Sequence, residues 1–141
     1  TDYDHNHSGD GCWCWDYKYI GECISGTSYD VATVKWGGGA RMPTLQEIQE
    51  LVKYCGFEAG YLNDVAGNFV IGPNGNSIFT PFAGYRKDQY QYPYQYIIGK
   101  GNGGYYWSGT LHDDSCACYL ECGSYNSGGR KHGLSVRPVS D

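Results

Sequence analysis

The sequence predicts an α+β domain in which two short helices pack on small antiparallel sheets joined by long loops. Three observations carry that expectation: a capped amphipathic helix opens at Leu45, a tight-turn sequence at residues 72 to 76 separates two apolar triplets, and short aromatic or β-branched runs punctuated by glycine fill most of the remainder. At 141 residues the chain is one domain by length, able to bury roughly two-thirds of the surface its unfolded form exposes. A single core is therefore expected.

Residues 1 to 23 are polar and irregular and read as an N-terminal segment, with the folded domain over residues 24 to 141. Asp2-Tyr3-Asp4-His5-Asn6-His7 gathers carboxylates and imidazoles, but a solvated terminus explains it without a metal. Asp30 can cap a short helix over residues 31 to 36, which Gly37-Gly38-Gly39 stops. Thr44 and Glu47 then have the T-x-x-E spacing of a capping box, in which each side chain satisfies a free backbone N–H of the other's residue. Leu45, Ile48, Leu51, Val52 and Cys55 recur on one face behind it, so a helix from Leu45 to Tyr54 is expected, with Gln46, Gln49, Glu50 and Lys53 outward. Glu47 and Glu50 thereby have structural roles and need not be a catalytic carboxylate pair.

The helical period ends near residue 56. Phe69-Val70-Ile71, Gly72-Pro73-Asn74-Gly75-Asn76 and Ser77-Ile78-Phe79 read as a hairpin, because Pro-Asn-Gly supplies the backbone angles of a tight reversal. Residues 82 to 86 read as another short strand and residues 87 to 104 as a long aromatic loop, where Pro93 interrupts an alternation of Gln and Tyr. The glycines from Gly99 to Gly104 are not a phosphate loop, since no strand clearly precedes them and no helix follows. Strands are expected at residues 105 to 108, 117 to 122 and 134 to 138. In the middle one Ala117, Tyr119 and Glu121 share one side, and Cys116, Cys118, Leu120 and Cys122 the other.

Composition excludes several classes. A net charge of −5 without a basic block argues against nucleic acid, and Arg130-Lys131-His132, the densest basic cluster, reads as a solvated loop. No apolar run approaches the ~20 residues that span a bilayer, so a soluble domain without membrane insertion is expected. The richness in turns and amphipathic aromatics, with 15 Tyr and 22 Gly, fits a loop-rich extracellular domain. The 7 Cys cannot all pair within one chain; Cys12-Trp13-Cys14 and Cys116-Ala117-Cys118 have neither redox nor zinc-ribbon spacing, and Cys23 and Cys55 read as buried apolar thiols.

The last third of the chain is a frame around a different kind of sequence. Tyr105-Tyr106-Trp107-Ser108-Gly109-Thr110 and Gly133-Leu134-Ser135-Val136-Arg137-Pro138-Val139 suit a packed scaffold, whereas residues 111 to 132 are rich in the Tyr, Ser, Gly, Asn, Asp and His that recognition surfaces favour.

Residues 30 to 51, which contain Arg41-Met42-Pro43-Thr44, together with Gly72-Pro73-Asn74-Gly75-Asn76-Ser77-Ile78-Phe79, Ala83-Gly84-Tyr85-Arg86, residues 106 to 110 and residues 133 to 139, form an ordered series. That series resembles the Fibrobacter succinogenes major paralogous domain family over about residues 24 to 139. The resemblance implies a C-type-lectin-like fold, related to the formylglycine-generating enzyme domain. Ala40 stands where that family usually has Trp, which removes an aromatic from the expected core. The family also carries a longer N-terminal segment whose first strand closes the fold. Here the chain is a trimmed fragment, or residues 1 to 23 close the fold differently, or a neighbouring subunit supplies the strand. The chain is similar, too, to the variable proteins of diversity-generating retroelements, whose C-terminal segment is rewritten at template adenines, converting Asn codons to Tyr, Asp, His, Ser, Gly, Cys and Arg. Positions 111 to 132 hold largely that set, which implies a diversified face in a protein of gut Bacteroidetes or their phages.

The resulting expectation is a non-enzymatic domain, with no cofactor, that presents residues 105 to 132 to a protein or glycan ligand outside the cell, on a cell surface or on a phage particle. The ligand-binding side chains expected are His112, Asp113, Asp114, Ser115, Cys118, Glu121, Ser124, Tyr125, Asn126, Lys131 and His132, with Tyr106 and Trp107 as frame. Asp113-Asp114 lacks the surrounding motifs of calcium-dependent sugar-binding lectins, so no metal is assigned. Two alternatives remain. Cys116, Cys118 and Cys122 could form a copper-thiol centre like that of the formylglycine-generating enzyme, whose surrounding motif is absent, or the domain could be a homo-oligomeric subunit of a surface filament or fimbria.

Overall fold

The computed structural model describes residues 19 to 87 and 96 to 140. Among them the chain runs through α1 (Val31–Trp36), β1 (Ala40–Arg41), α2 (Leu45–Tyr54), β2 (Gly56–Leu62), β3 (Val65–Ile71), β4 (Ser77–Pro81), β5 (Tyr85–Lys87), β6 (Tyr96–Ile98), β7 (Tyr105–Leu111), β8 (Cys116–Glu121), β9 (Ser124–Gly129) and β10 (Val139–Ser140). The strands form small antiparallel sheets in the orders β1-β10, β2-β3-β4, β5-β6 and β7-β8-β9, so the domain is α+β. The histidines near the N-terminus, Cys12, Cys14 and residues 88 to 95 of the aromatic loop lie outside the described residues.

Both helices begin as their sequences predict. The Asp30 carboxylate accepts from the N–H groups of Ala32, at 2.8 Å, and Thr33, at 3.3 Å, which are donors α1 cannot satisfy internally. It also accepts from Gly26 N–H and Met42 N–H, each at 2.8 Å, and from the Thr33 hydroxyl at 3.0 Å. A fully buried carboxylate is thus the junction of three chain segments. At α2 the Thr44 hydroxyl accepts from Glu47 N–H and the Glu47 carboxylate from Thr44 N–H, completing the capping box. Arg41 grips the same carboxylate with two parallel bonds of 2.9 and 2.6 Å.

The β3-β4 hairpin turns at Gly72 to Asn76, where Gly75 takes a φ of 82° and Asn74 Oδ1 accepts from Asn76 N–H. Phe69 pairs with Phe79 across it, ring centres 5.0 Å apart, and Gly67 leaves room for the second ring: a Cβ there would sit 2.5 Å from Phe79 Cζ.

The core lies on both faces of the β7-β8-β9 sheet. Ile48, Tyr106 and Leu120 pack with Leu51, Val52 and Phe57 on the α2 side. Ala32, Met42, Trp107 and Ala117 pack with Ile24, Val31, Tyr119, Leu134 and Val136 on the other. Tyr106 and Trp107 are both buried, as expected for frame residues, and Ala117 and Tyr119 lie opposite Leu120 in the alternation read for this strand.

Several expectations need correction. Residues 134 to 138 are not a strand. Ser135 forms a single parallel bridge to Tyr106, Pro138 has no N–H with which to extend a ladder, and pairing resumes only at β10 against β1. The first frame strand reaches Leu111, with an irregular register after Trp107, and its edge there receives residues 22 to 24: Leu111 N–H donates to Glu22 and Ile24 N–H to Gly109. Strand β2 had no sequence signal, because Gly56 and Gly60 interrupt a mostly exposed run; its turn to β3 is marked by positive φ at Asn63 and Asp64. The long loop contains β6, which pairs with β5. Cys23 is exposed and Cys55 half-buried, so neither is the core thiol expected. Arg130 is buried rather than solvated, its guanidinium donating to the Asp114 carbonyl at 2.9 Å.

Candidate functional site

The side of the β7-β8-β9 sheet away from α2 opens into a cavity of about 260 Å³. Register places its walls. Tyr105 pairs with Glu121 and Trp107 with Tyr119, and because opposed residues share a face, all four point to the same side. On β9, Gly128 opposes Ala117 on that side, and a Cβ there would stand 3.0 Å from Tyr119 Cε1. The missing side chain leaves space beside the ring. Tyr85 from β5 and His132, which follows β9, complete the wall. Their arrival depends on the Arg86–Gly133 bridge, which ties β5 to the chain leaving β9.

Neighbouring rings meet at angles instead of stacking flat. Tyr85 and Tyr105 have ring centres 4.9 Å apart at 74°, Tyr105 and Tyr119 6.0 Å at 62°, and Trp107 and Tyr119 5.9 Å at 85°. Such edge-to-face contacts set negative π faces against positive ring edges. His132 stands against Tyr85 in the same manner, at 5.7 Å.

Burial and the neighbouring Glu121 charge push the Tyr105 phenol above its ordinary range, and a side-chain hydrogen bond to Glu121 acts in the same direction. The Tyr119 phenol is raised by burial first, then by Glu121. The phenols therefore stay neutral while Glu121 supplies a carboxylate. Among the described residues Trp107 Nε1, fully buried, has no hydrogen-bond partner, which costs about 1–3 kcal/mol.

Of the residues expected from sequence, Glu121 and His132 line the cavity, and Asn126 lies on the same face opposite Tyr119. Lys131 adjoins His132, half-buried. His112, Asp113, Asp114 and Ser115 form the β7-β8 turn at one end of the sheet. There Asp113 Oδ1 accepts from the N–H groups of Ser115 and Cys116, both at 2.8 Å, and from the Ser115 hydroxyl; these bonds, Ser115 N–H foremost, hold its carboxyl below the usual range. Asp113 thus builds the turn. Ser124 lies at the opposite end, after Cys122 and Gly123, which take φ of 40° and 88°. Tyr125 alternates onto the α2 side, where it is exposed. Cys118, also on that side, is 5% exposed, which takes it out of reach of a ligand.

Sequence reasoning missed Tyr85, Tyr105 and Tyr119 as site residues. A usable signal existed for two of them, because Tyr119 and Glu121 were already on one side of a strand and Tyr105 had only to pair opposite. Among the described residues no three of His, Cys, Asp and Glu come together. Burial, then the neighbouring Cys116, raises the Cys118 thiol and disfavours its thiolate. A second cavity, of about 250 Å³ and largely apolar, lies on the α2 side between Ile48, Leu51, Ile78, Tyr106, Leu120 and Pro138. No described helix is long and apolar enough to cross a membrane.

Comparison with known protein families, with curated proteins and with solved structures finds no match to this chain in any of the three.

Proposed function

We propose that the chain is a non-enzymatic ligand-binding domain of the C-type-lectin-like kind, acting outside the cell, on a cell surface or on a phage particle. It presents the cavity side of the β7-β8-β9 sheet to a protein or glycan. The observation that carries this reading is the convergence of Tyr105, Trp107, Tyr119, Glu121 and His132 on one cavity, the first four from β7 and β8, whose Trp107 and Tyr119 also belong to the core. Rigid strands hold recognition side chains more closely than free loops do. The lectin-like assignment is supported by the placement of its motif residues: Arg41 to Thr44 link β1 to α2, and residues 106 to 110 run beside the segment that starts at Gly133. A diversified face is supported by β9, whose pairing uses backbone groups while Ser124, Tyr125 and Asn126 expose their side chains and tolerate exchange.

Screening the domain against glycan arrays and displayed surface proteins would yield partners. Replacing Glu121, Asn126 and His132 together by Ala should then abolish their binding. Unchanged affinity for every partner would refute the reading.

One observation favours a second role as a filament subunit. Among the described residues β2 pairs only with β3, and Tyr61, Leu62 and Val65 are exposed around the turn that joins them. Solution mass with and without reductant tests it, since a monomer in both conditions removes that reading.

A further inference from the structure

We propose that the cavity takes a methylated ammonium group of the choline type, held against its aromatic walls and balanced by Glu121. The proposal rests on the reading of this side of the sheet as a ligand face and narrows the chemistry of what binds there.

Four aromatic side chains among the described residues, Tyr85, Tyr105, Trp107 and Tyr119, line the cavity, and neighbouring rings meet edge to face at 62° to 85°. A cation within about 6 Å of several ring centres gains attraction from each π face, and does so most strongly where water is excluded. The lining charges agree in sign. Among the described lining residues Glu121 is the acidic side chain and there is no lysine or arginine, and the whole chain carries −5.

Hydrogen-bonding capacity separates the kinds of cation. A primary ammonium brings three N–H donors that must all be satisfied on burial. The described residues of the cavity offer one carboxylate, on the residue that pairs with Tyr105, and phenol oxygens at the rims of the rings. A trimethylammonium has no donor to satisfy and covers its charge with methyl groups that pack on ring faces. Size agrees as well: about 260 Å³ is below the ~300 Å³ at which sites for whole drug-sized ligands begin, so the cavity suits a headgroup. Gly128 and Gly129 keep the β9 side free of bulk, and a Cβ on Gly128 would press on Tyr119 at 3.0 Å.

The test uses tetramethylammonium chloride, choline chloride and 3,3-dimethylbutan-1-ol, the uncharged isostere of choline, titrated into the full chain by calorimetry and by proton NMR of the probe methyl groups. Both cations should bind with methyl signals displaced upfield by the rings, and the neutral isostere should bind at least about tenfold more weakly. Tyr119→Leu should lower choline affinity about tenfold or more, and Glu121→Gln severalfold, whereas Val34→Ser, on the exposed side of α1, should change nothing. Circular dichroism confirms that each variant is folded, and where Tyr119→Leu is not, Glu121→Gln and the isostere carry the test. Two further arms separate the carriers of the group: soluble phosphocholine alone binding points to a soluble or glycan-linked source, and phosphatidylcholine vesicles binding as well points to a lipid headgroup.

Absence of any methyl shift at about 10 mM probe overturns the proposal, as does an isostere that binds as well as choline. If the cavity ignores ammonium probes while the Glu121, Asn126 and His132 triple variant still abolishes partner binding, the ammonium assignment falls and the ligand-face reading stands.

Discussion

Replacing Asp30 by Asn is an almost isosteric change with a large expected cost. One carboxylate oxygen accepts from Ala32 and Thr33 N–H, and the other from Gly26 N–H, Met42 N–H and the Thr33 hydroxyl, in a site with no solvent exposure. An asparagine keeps one acceptor and turns the other into an NH₂ group. In either amide orientation two backbone N–H groups then face a donor, one buried (Ala32 or Met42) and one part-buried (Thr33 or Gly26), because only the Thr33 hydroxyl can turn to another acceptor, the Ala40 carbonyl at 3.1 Å. Two orphaned donors, one of them buried, at about 1–3 kcal/mol each set a cost near 4 kcal/mol, against a total stability of about 5–15 kcal/mol for a domain. Urea unfolding followed by tryptophan fluorescence should show a midpoint lower by about 2 M with the slope unchanged. The damage should also reach the ligand face, since Met42, whose N–H Asp30 fixes, packs with Trp107. A loss below about 1 kcal/mol would refute the view that this carboxylate joins the three segments.

The Arg41–Glu47 pair should make stability pH-dependent. Arg41 hydrogen bonding lowers Glu47 from 4.5 to about 2, so its contribution is full above pH 4.5 and fades as pH falls toward 2. That gap corresponds to about 3 kcal/mol before screening and about 1–2 kcal/mol for a side chain 36% exposed, and Glu47→Gln should flatten this part of a stability-versus-pH curve. Asp30 acts with the same sign: burial alone would raise it, but the N–H groups of Gly26, Met42 and Thr33 outweigh burial and hold it low. Gly67→Ala, whose Cβ would lie 2.5 Å from Phe79 and 2.6 Å from the Thr80 carbonyl oxygen, should lower the unfolding free energy by about 1–3 kcal/mol, while Gly56→Ala, with open space around it, should be near neutral. Tyr106→Phe should cost about 1–2 kcal/mol in the same assay, because the hydroxyl donates to the Pro81 carbonyl at 2.7 Å from a buried position.

Legibility followed the range of the forces involved. Both helices could be read from the chain because their signals are local: Asp30 and Thr44 cap within three residues, and Ile48, Leu51 and Val52 share a face by helical period alone. The Gly72 to Asn76 turn was equally plain, since Pro73 and Gly75 restrict or free their own backbone angles. Strands β2 and β9 were not legible. Their residues alternate weakly or carry glycine, and the ladders form because β3 and β8 are already there to pair with.

The same distinction governs the site. Composition marked residues 105 to 132 as a region apart, and strand periodicity already put Tyr119 and Glu121 on one side. The linear order could not reveal that the Asp113 carboxylate bonds its own turn to build a hairpin, that Cys118 is buried, or that the Tyr85 ring, from another sheet, centres 4.9 Å from that of Tyr105. Those outcomes depend on which strands pair and in what register, and register is chosen by burial summed over whole faces. Residue type and spacing were enough for helix starts, turns and the character of the C-terminal segment. Which of its side chains share a cavity was decided only when the strands closed around Trp107.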